Sequence, residues 1–154
     1  MTEPRIDTAA VAERAVALFN QGWNCAEATA TAAGEAFAPG ARCLPRAATC
    51  LGGGLGRRGE SCGAVVGALI AAGLARGREP GEGDTAKDRA YALAMYIVEG
   101  FREKFGALLC RELTGVDLSE PAGLKAYKEQ DLHHKRCAVL VAAAATLAAE
   151  ALTR

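Results

Sequence analysis

Two cysteines stand where a thiol is chemically biased. Cys62 follows Ser61 at the expected start of an apolar helix, and Cys25 follows Asn24, a good cap, at the start of another. The unpaired amides and positive dipole end of a first helical turn favour thiolate over thiol, and Arg57 and Arg58 on the approach to Cys62 add charge in the same sense. Thiolate is both the nucleophile and the metal ligand, so Cys62 and Cys25 are the candidate catalytic residues. Cys43, Cys50, Cys110 and Cys137 complete the set. Cys43, Cys50 and Cys110 have no such placement and read as small buried hydrophobes.

The spacing of these residues is not that of a local metal knuckle. There is no Cys-x-x-Cys and no His-x-x-x-His, so a four-ligand site has to be assembled from separate helices. His133 and His134 lie four and three residues before Cys137 and can share its helical face as ligands or thiolate partners. Flanked by Lys135 and Arg136, they read first as a solvated helix start. Trp23, beside Cys25, reads as a core anchor.

Gly54-Leu55-Gly56-Arg57-Arg58-Gly59 matches the dinucleotide fingerprint letter for letter. That motif works between a strand and a helix. Here the preceding segment contains Pro45 and no β-rich run follows before Pro80, so the nucleotide reading fails on context. Gly54 to Ser61 also resembles a phosphate-binding loop, but Glu60 stands where a lysine should meet phosphate.

The elements that must position these residues are helical. Alanine is abundant, β-branched runs are short, and apolar residues recur at three and four, which predicts an all-α bundle of about five main helices with a glycine-rich turn before the third. The first begins with Asp7 or Thr8 as cap, buries Val11, Ala15, Val16, Leu18 and Phe19, and stops near Gly22. The second starts at Cys25 and runs to Phe37. Arg42 to Leu51 is a linker or short helix with Pro45 in its first turn. The third starts at Ser61 or Cys62, and its Gly63, Gly67 and Gly73 admit a close neighbour. The fourth, capped by Asp84 or Thr85, carries an apolar stripe through Tyr91, Met95, Val98, Phe101, Arg102 and Phe105, and Gly106 interrupts it. Leu108 to Gly115 is a helical turn with Cys110 inside it, Ser119-Glu120-Pro121 opens a short helix, and the last helix spans about Asp131 to Leu152 with Cys137, Leu140, Val141, Ala144 and Leu147 inward.

Bulk properties bound the function. The chain has 154 residues, enough for one domain to fold without disulfides or metal. Lysine plus arginine equals aspartate plus glutamate at 18 each, which argues for no nucleic acid as partner. The longest apolar run, Ala138 to Ala149, covers 12 residues, against the roughly 20 that cross a bilayer, so no membrane insertion is expected. The N-terminus lacks a cationic and apolar leader, and a soluble cytoplasmic protein with reduced thiols is expected.

Several blocks in order resemble a known family. They are Asn24-Cys25-Ala26-Glu27-Ala28; Gly52-Gly53-Gly54-Leu55-Gly56-Arg57 leading to Cys62-Gly63-Ala64-Val65-Val66-Gly67-Ala68-Leu69; Phe105-Gly106-Ala107-Leu108-Leu109-Cys110-Arg111-Glu112-Leu113; and Lys135-Arg136-Cys137. Together they resemble the C_GCAxxG_C_C family, named for its cysteine pattern and a redox role, which also occurs fused or related to split-Soret cytochrome c. The resemblance covers about residues 11–149 and implies a helical domain with four characteristic cysteines, here Cys25, Cys62, Cys110 and Cys137. It also implies redox activity, with an iron–sulfur site suggested for the cytochrome-related members. This chain departs from the pattern in reading Cys-Gly-Ala-x-x-Gly with Ser61 before the cysteine, and in adding Cys43 and Cys50.

The resulting expectation is a redox protein whose Cys25, Cys62, Cys110 and Cys137 converge at one end of the bundle. Either the four thiolates hold a metal centre, an iron–sulfur cluster rather than zinc because zinc has no redox chemistry, or Cys62 or Cys25 exchanges with a neighbouring thiol. Both readings require an unidentified redox partner protein, and a homo-oligomer stays open. The alternative is a non-catalytic binding or structural bundle with inert cysteines and no cofactor.

Overall fold

The computed structural model describes residues 5–154, so the first four residues of the segment read for a leader lie outside the described residues. In chain order the helices are α1 (Thr8–Asn20), α2 (Cys25–Phe37), α3 (Leu44–Ala48), α4 (Gly52–Leu55), α5 (Gly63–Arg76), α6 (Asp84–Phe105), α7 (Cys110–Thr114), α8 (Pro121–Glu129) and α9 (Ala138–Leu152). A 3-10 turn, Thr49–Leu51, precedes α4, and a π-turn, His133–Cys137, leads into α9. The expected all-α architecture is what the chain adopts: α1, α2, α5, α6 and α9 are its main helices. Among the described residues there is no strand, only an isolated antiparallel bridge between Ser61 and Leu109. Among them, too, no helix is long and apolar enough to cross a membrane.

Capping sets the first two helices as the sequence predicts. Asp7 Oδ1 accepts from the amides of Ala9 and Ala10 at 3.0 and 3.2 Å, satisfying donors that the first turn of α1 leaves open. Asn24 caps α2 reciprocally: Asn24 Oδ1 accepts from Glu27 N at 2.9 Å, and Glu27 Oε2 accepts from Asn24 N at 2.8 Å.

The centre of the fold is the α2–α5 pair, with α1 and α9 packed beside it. Alanine dominates this core: Ala26, Ala28, Ala30, Ala64, Ala68, Ala71, Ala144 and Ala148 are fully buried. Small side chains contribute little apolar area each, so stability depends on how closely the backbones approach. Gly67 sets that distance. A Cβ there would stand 2.5 Å from Ala26 O and 3.0 Å from Ala30 N of α2.

Three expectations are corrected. The third main helix starts at Gly63, not Ser61, and Cys62 occupies its cap position, because Ser61 is held extended against Leu109. Gly83 rather than Asp84 or Thr85 takes the cap of α6. Cys110 is the first residue of α7 rather than an interior one, since Leu109 is extended and only Cys110 turns helical. The α6 stripe divides along the helix: Phe101 is buried and Val98 and Phe105 pack partly on the core, while Tyr91 and Met95 are 61% and 58% exposed.

Candidate functional site

The capping box does more than start α2. Asn24 Nδ2 donates to Thr49 O at 2.9 Å, and Thr49 Oγ1 donates to Glu27 Oε1 at 2.7 Å. Cys25 is thereby fixed relative to the turn that opens the glycine-rich loop. In that loop Gly53, Gly54, Leu55, Gly56 and Arg57 all have φ between 63 and 69°, a left-handed turn. Glycine adopts it freely, whereas Leu55 and Arg57 each cost about 1 kcal/mol or more. The turn brings the Gly53 amide toward Cys25 Sγ. Gly63 packs directly on the same sulfur, where a side chain would collide.

Cys62 and Cys110 are placed side by side by backbone pairing. Cys62 N donates to Leu108 O at 2.8 Å, Cys110 N to Glu60 O at 2.7 Å, and Arg111 N to Gly59 O at 3.1 Å. Gly54 closes beneath them, since a Cβ there would stand 2.6 Å from Cys110 Cβ and from Glu60 N. Of the fingerprint-like glycines, Gly54 and Gly59 therefore serve contact with α7, and Glu60 faces Arg111 at 3.4 Å across the surface. Cys137 ends the π-turn. The next residue back, Arg136, donates from Nε to Leu113 O at 2.8 Å, tying the turn to α7.

These elements surround one cavity of about 590 Å³, whose lining includes Cys25, Cys62, Cys110 and Cys137. The four cysteines come from the start of α2, the cap of α5, the start of α7 and the π-turn. All are free thiols. Tyr127 and Leu124 of α8, Leu118 and His133 complete the wall, and Trp23, Arg57 and Lys128 also line it.

The electrostatics correct one expectation. The helix-start position predicts a low-pKa thiol at Cys62; burial instead pushes it up to about 12, reinforced by the charge of Cys25 and opposed by the amides of Ala64 and Val65. Burial likewise raises Cys25, against the amides of Gly53, Ala26, Cys25 itself and Gly63. Cys110 is pushed up to about 12 by burial and by the charges of Cys25 and Cys137. Cys137 is raised by burial, partly offset by a hydrogen bond from Tyr127. Desolvation outweighs the helix-end effect, because a thiolate loses its water while the amides return only part of that stabilisation. Among the described residues no three His, Cys, Asp or Glu side chains converge closely enough to share one ion.

Other readings are settled by position. Cys43 and Cys50 are exposed rather than buried, and neither lines the cavity. His134 is an exposed partner of Asp131 at 2.7 Å. His133 stacks on Phe19 with ring centroids 3.9 Å apart and meets Asn20 Oδ1 at 3.1 Å. Burial lowers its pKa, and the neighbouring His134 lowers it further. Trp23 is 44% exposed beside the cavity rather than a core anchor. Sequence reasoning gives α8 no role and so misses Tyr127, whose hydroxyl faces Cys137. No local motif announces it. The Asn24–Glu27 capping box is legible as a cap-then-glutamate spacing, but its link to Thr49 is not.

No curated protein and no solved structure matches this chain. A family model described as "Putative redox-active protein (C_GCAxxG_C_C)" matches residues 23–151, a span that holds all four cavity cysteines and the turn that frames them. On that match the chain belongs to the C_GCAxxG_C_C family.

Proposed function

We propose that the chain is an electron-transfer protein whose Cys25, Cys62, Cys110 and Cys137 hold an iron–sulfur cluster within the cavity. The observation that carries this reading is the meeting of four thiols, from four separate elements, around one space of about 590 Å³. Such a cluster supplies reversible one-electron transfer at iron. Mononuclear zinc fits less well, because its sulfurs must all stand about 2.3 Å from one point, and no such convergence exists among the described residues.

The chain's own groups have distinct tasks. Amides of Gly53, Ala26 and Gly63 toward Cys25, and of Ala64 and Val65 toward Cys62, favour sulfur in its thiolate form. Donors to sulfur also raise reduction potential. Tyr127 does the same for Cys137. Left without a cation, the four thiols repel one another's charge and stay protonated, which opposes their use as free nucleophiles at neutral pH. The reading sets the protein in the reducing cytoplasm, where free thiols persist, with an unidentified protein as redox partner.

Anaerobic purification followed by iron, sulfide and zinc analysis and a visible spectrum tests the proposal. Stoichiometric iron and sulfide with charge-transfer absorption supports it. Metal-free protein that forms a Cys25–Cys62 disulfide on mild oxidation replaces it with thiol exchange. Metal-free protein with thiols inert to both leaves a structural bundle.

A further inference from the structure

Helix α6 is covered along one side only: of its 22 residues Ile97 and Phe101 are buried, and Leu93, Tyr96, Val98 and Phe105 pack partly on the core. Its outer side carries Asp84, Asp88, Tyr91, Met95 and Arg102, with Val98 at the edge packed partly on the core, and the six are spaced four, three, four, three and four apart. That is the spacing of a two-helix seam. All but the half-buried Val98 are exposed, and Tyr91 and Met95 are among the most exposed large apolar side chains of the protein.

The seam is complementary to its own reverse. Two copies of α6 laid antiparallel about Leu93 set Tyr91 opposite Met95 of the second copy, and Met95 opposite its Tyr91. The same register sets Asp84 opposite Arg102 of the second copy, twice by symmetry, with Asp88 opposite Val98 and within a turn of Arg102. Ala92 and Ala94 flank the centre and admit close approach. A parallel pairing instead sets Asp84 on Asp84 and Arg102 on Arg102, which repels. Among the described residues Arg102 has no ion-pair partner, and the pairs Asp84 makes with Lys87 and Arg78 are exposed.

We propose that α6 is a self-association surface, and that its occupant is a second copy of this chain in an antiparallel two-fold dimer centred on Tyr91 and Met95. No residue of α6 lines the cysteine cavity, so the dimer leaves that cavity open and the inference stands apart from the redox reading.

Sedimentation velocity of the full chain, up to about 100 μM, tests it. The wild type sediments as a dimer. Met95→Glu, which sets a charge against Tyr91 twice, weakens association at least about a hundredfold. Arg102→Asp and Asp84→Arg each weaken it about tenfold, and the double exchange restores it to within about threefold, because each reversed pair is again opposite in sign. These side chains are exposed, so circular dichroism of the monomeric variants matches the wild type, and they melt where the wild type melts once it is diluted to monomer. A wild type that stays monomeric, a dimer indifferent to Met95→Glu, or a double exchange no better than either single variant overturns the proposal.

Discussion

Gly67 and Gly73 lie on the same helix, and alanine at the two positions should act in opposite directions. Gly73 is exposed, with nothing within 4 Å of the point where a methyl group would stand. Gly73→Ala therefore gains only helix propensity and lost unfolded-state freedom, about 0.5–1 kcal/mol of added stability. Gly67→Ala gains the same amount but drives its methyl against α2, at 2.5 Å from Ala26 O, 3.0 Å from Ala30 N and 3.1 Å from Thr29 Cβ. Two of those obstacles are backbone atoms inside a helix and cannot rotate away, so α2 and α5 must part by a good fraction of an ångström. Overpacking of this kind costs about 1–3 kcal/mol. Taking its upper part, net destabilisation is about 2 kcal/mol, and the two variants differ by about 3 kcal/mol. For a chain of this length that corresponds to a melting temperature about 4–8 °C lower for Gly67→Ala and about 1–4 °C higher for Gly73→Ala. Urea titration at constant m-value measures both. A Gly67→Ala protein as stable as the wild type refutes the argument that backbone proximity, not side-chain volume, holds this core together.

Other consequences follow from the site. Asn24→Ala removes the capping box and the tie to Thr49, and should cost about 1–2 kcal/mol in denaturant titration while exposing Cys25 to faster alkylation. In metal-free protein the pH dependence has a definite sign: Cys62 and Cys110, pushed up to about 12 from the ordinary 9.0, stay protonated in the fold where the unfolded chain ionises. Their contribution is fully present below pH 9 and is lost as pH rises toward 12, so denaturant midpoints should fall across that window. Tyr127→Phe removes a donor that favours the Cys137 thiolate, so labelling of Cys137 at fixed pH should slow, by up to about tenfold. Unchanged labelling would detach Tyr127 from the site.

Helix starts are legible wherever a side chain makes the cap. Asp7 and Asn24 carry the sequence signal and the hydrogen bonds together. Starts fixed by distant pairing are not legible: the Ser61–Leu109 bridge moves the start of α5 to Gly63 and makes Cys110 the first residue of α7. The thiol bias at Cys62 fails for a related reason. A helix end can be read from neighbouring residues, but the burial that overrides it comes from the tertiary fold, and the charges of Cys25 and Cys110, far along the chain, add to it. Periodicity marks the α6 stripe as apolar but does not tell a core face from a face turned to another molecule, and Tyr91 and Met95 lie on the outer side. The four cysteines that share the cavity lie 25 or more residues apart in sequence, so their meeting comes from the family resemblance rather than from any local spacing.

The central claim is that these four thiols act as one set and the two exposed ones do not. Six single variants, Cys25→Ser, Cys62→Ser, Cys110→Ser, Cys137→Ser, Cys43→Ser and Cys50→Ser, reconstituted anaerobically with iron and sulfide, measure it by bound iron per chain. Loss or marked lability of iron in the first four, with full retention in the last two, is the predicted pattern. Equal iron in all six, or dependence on Cys43 or Cys50, contradicts it.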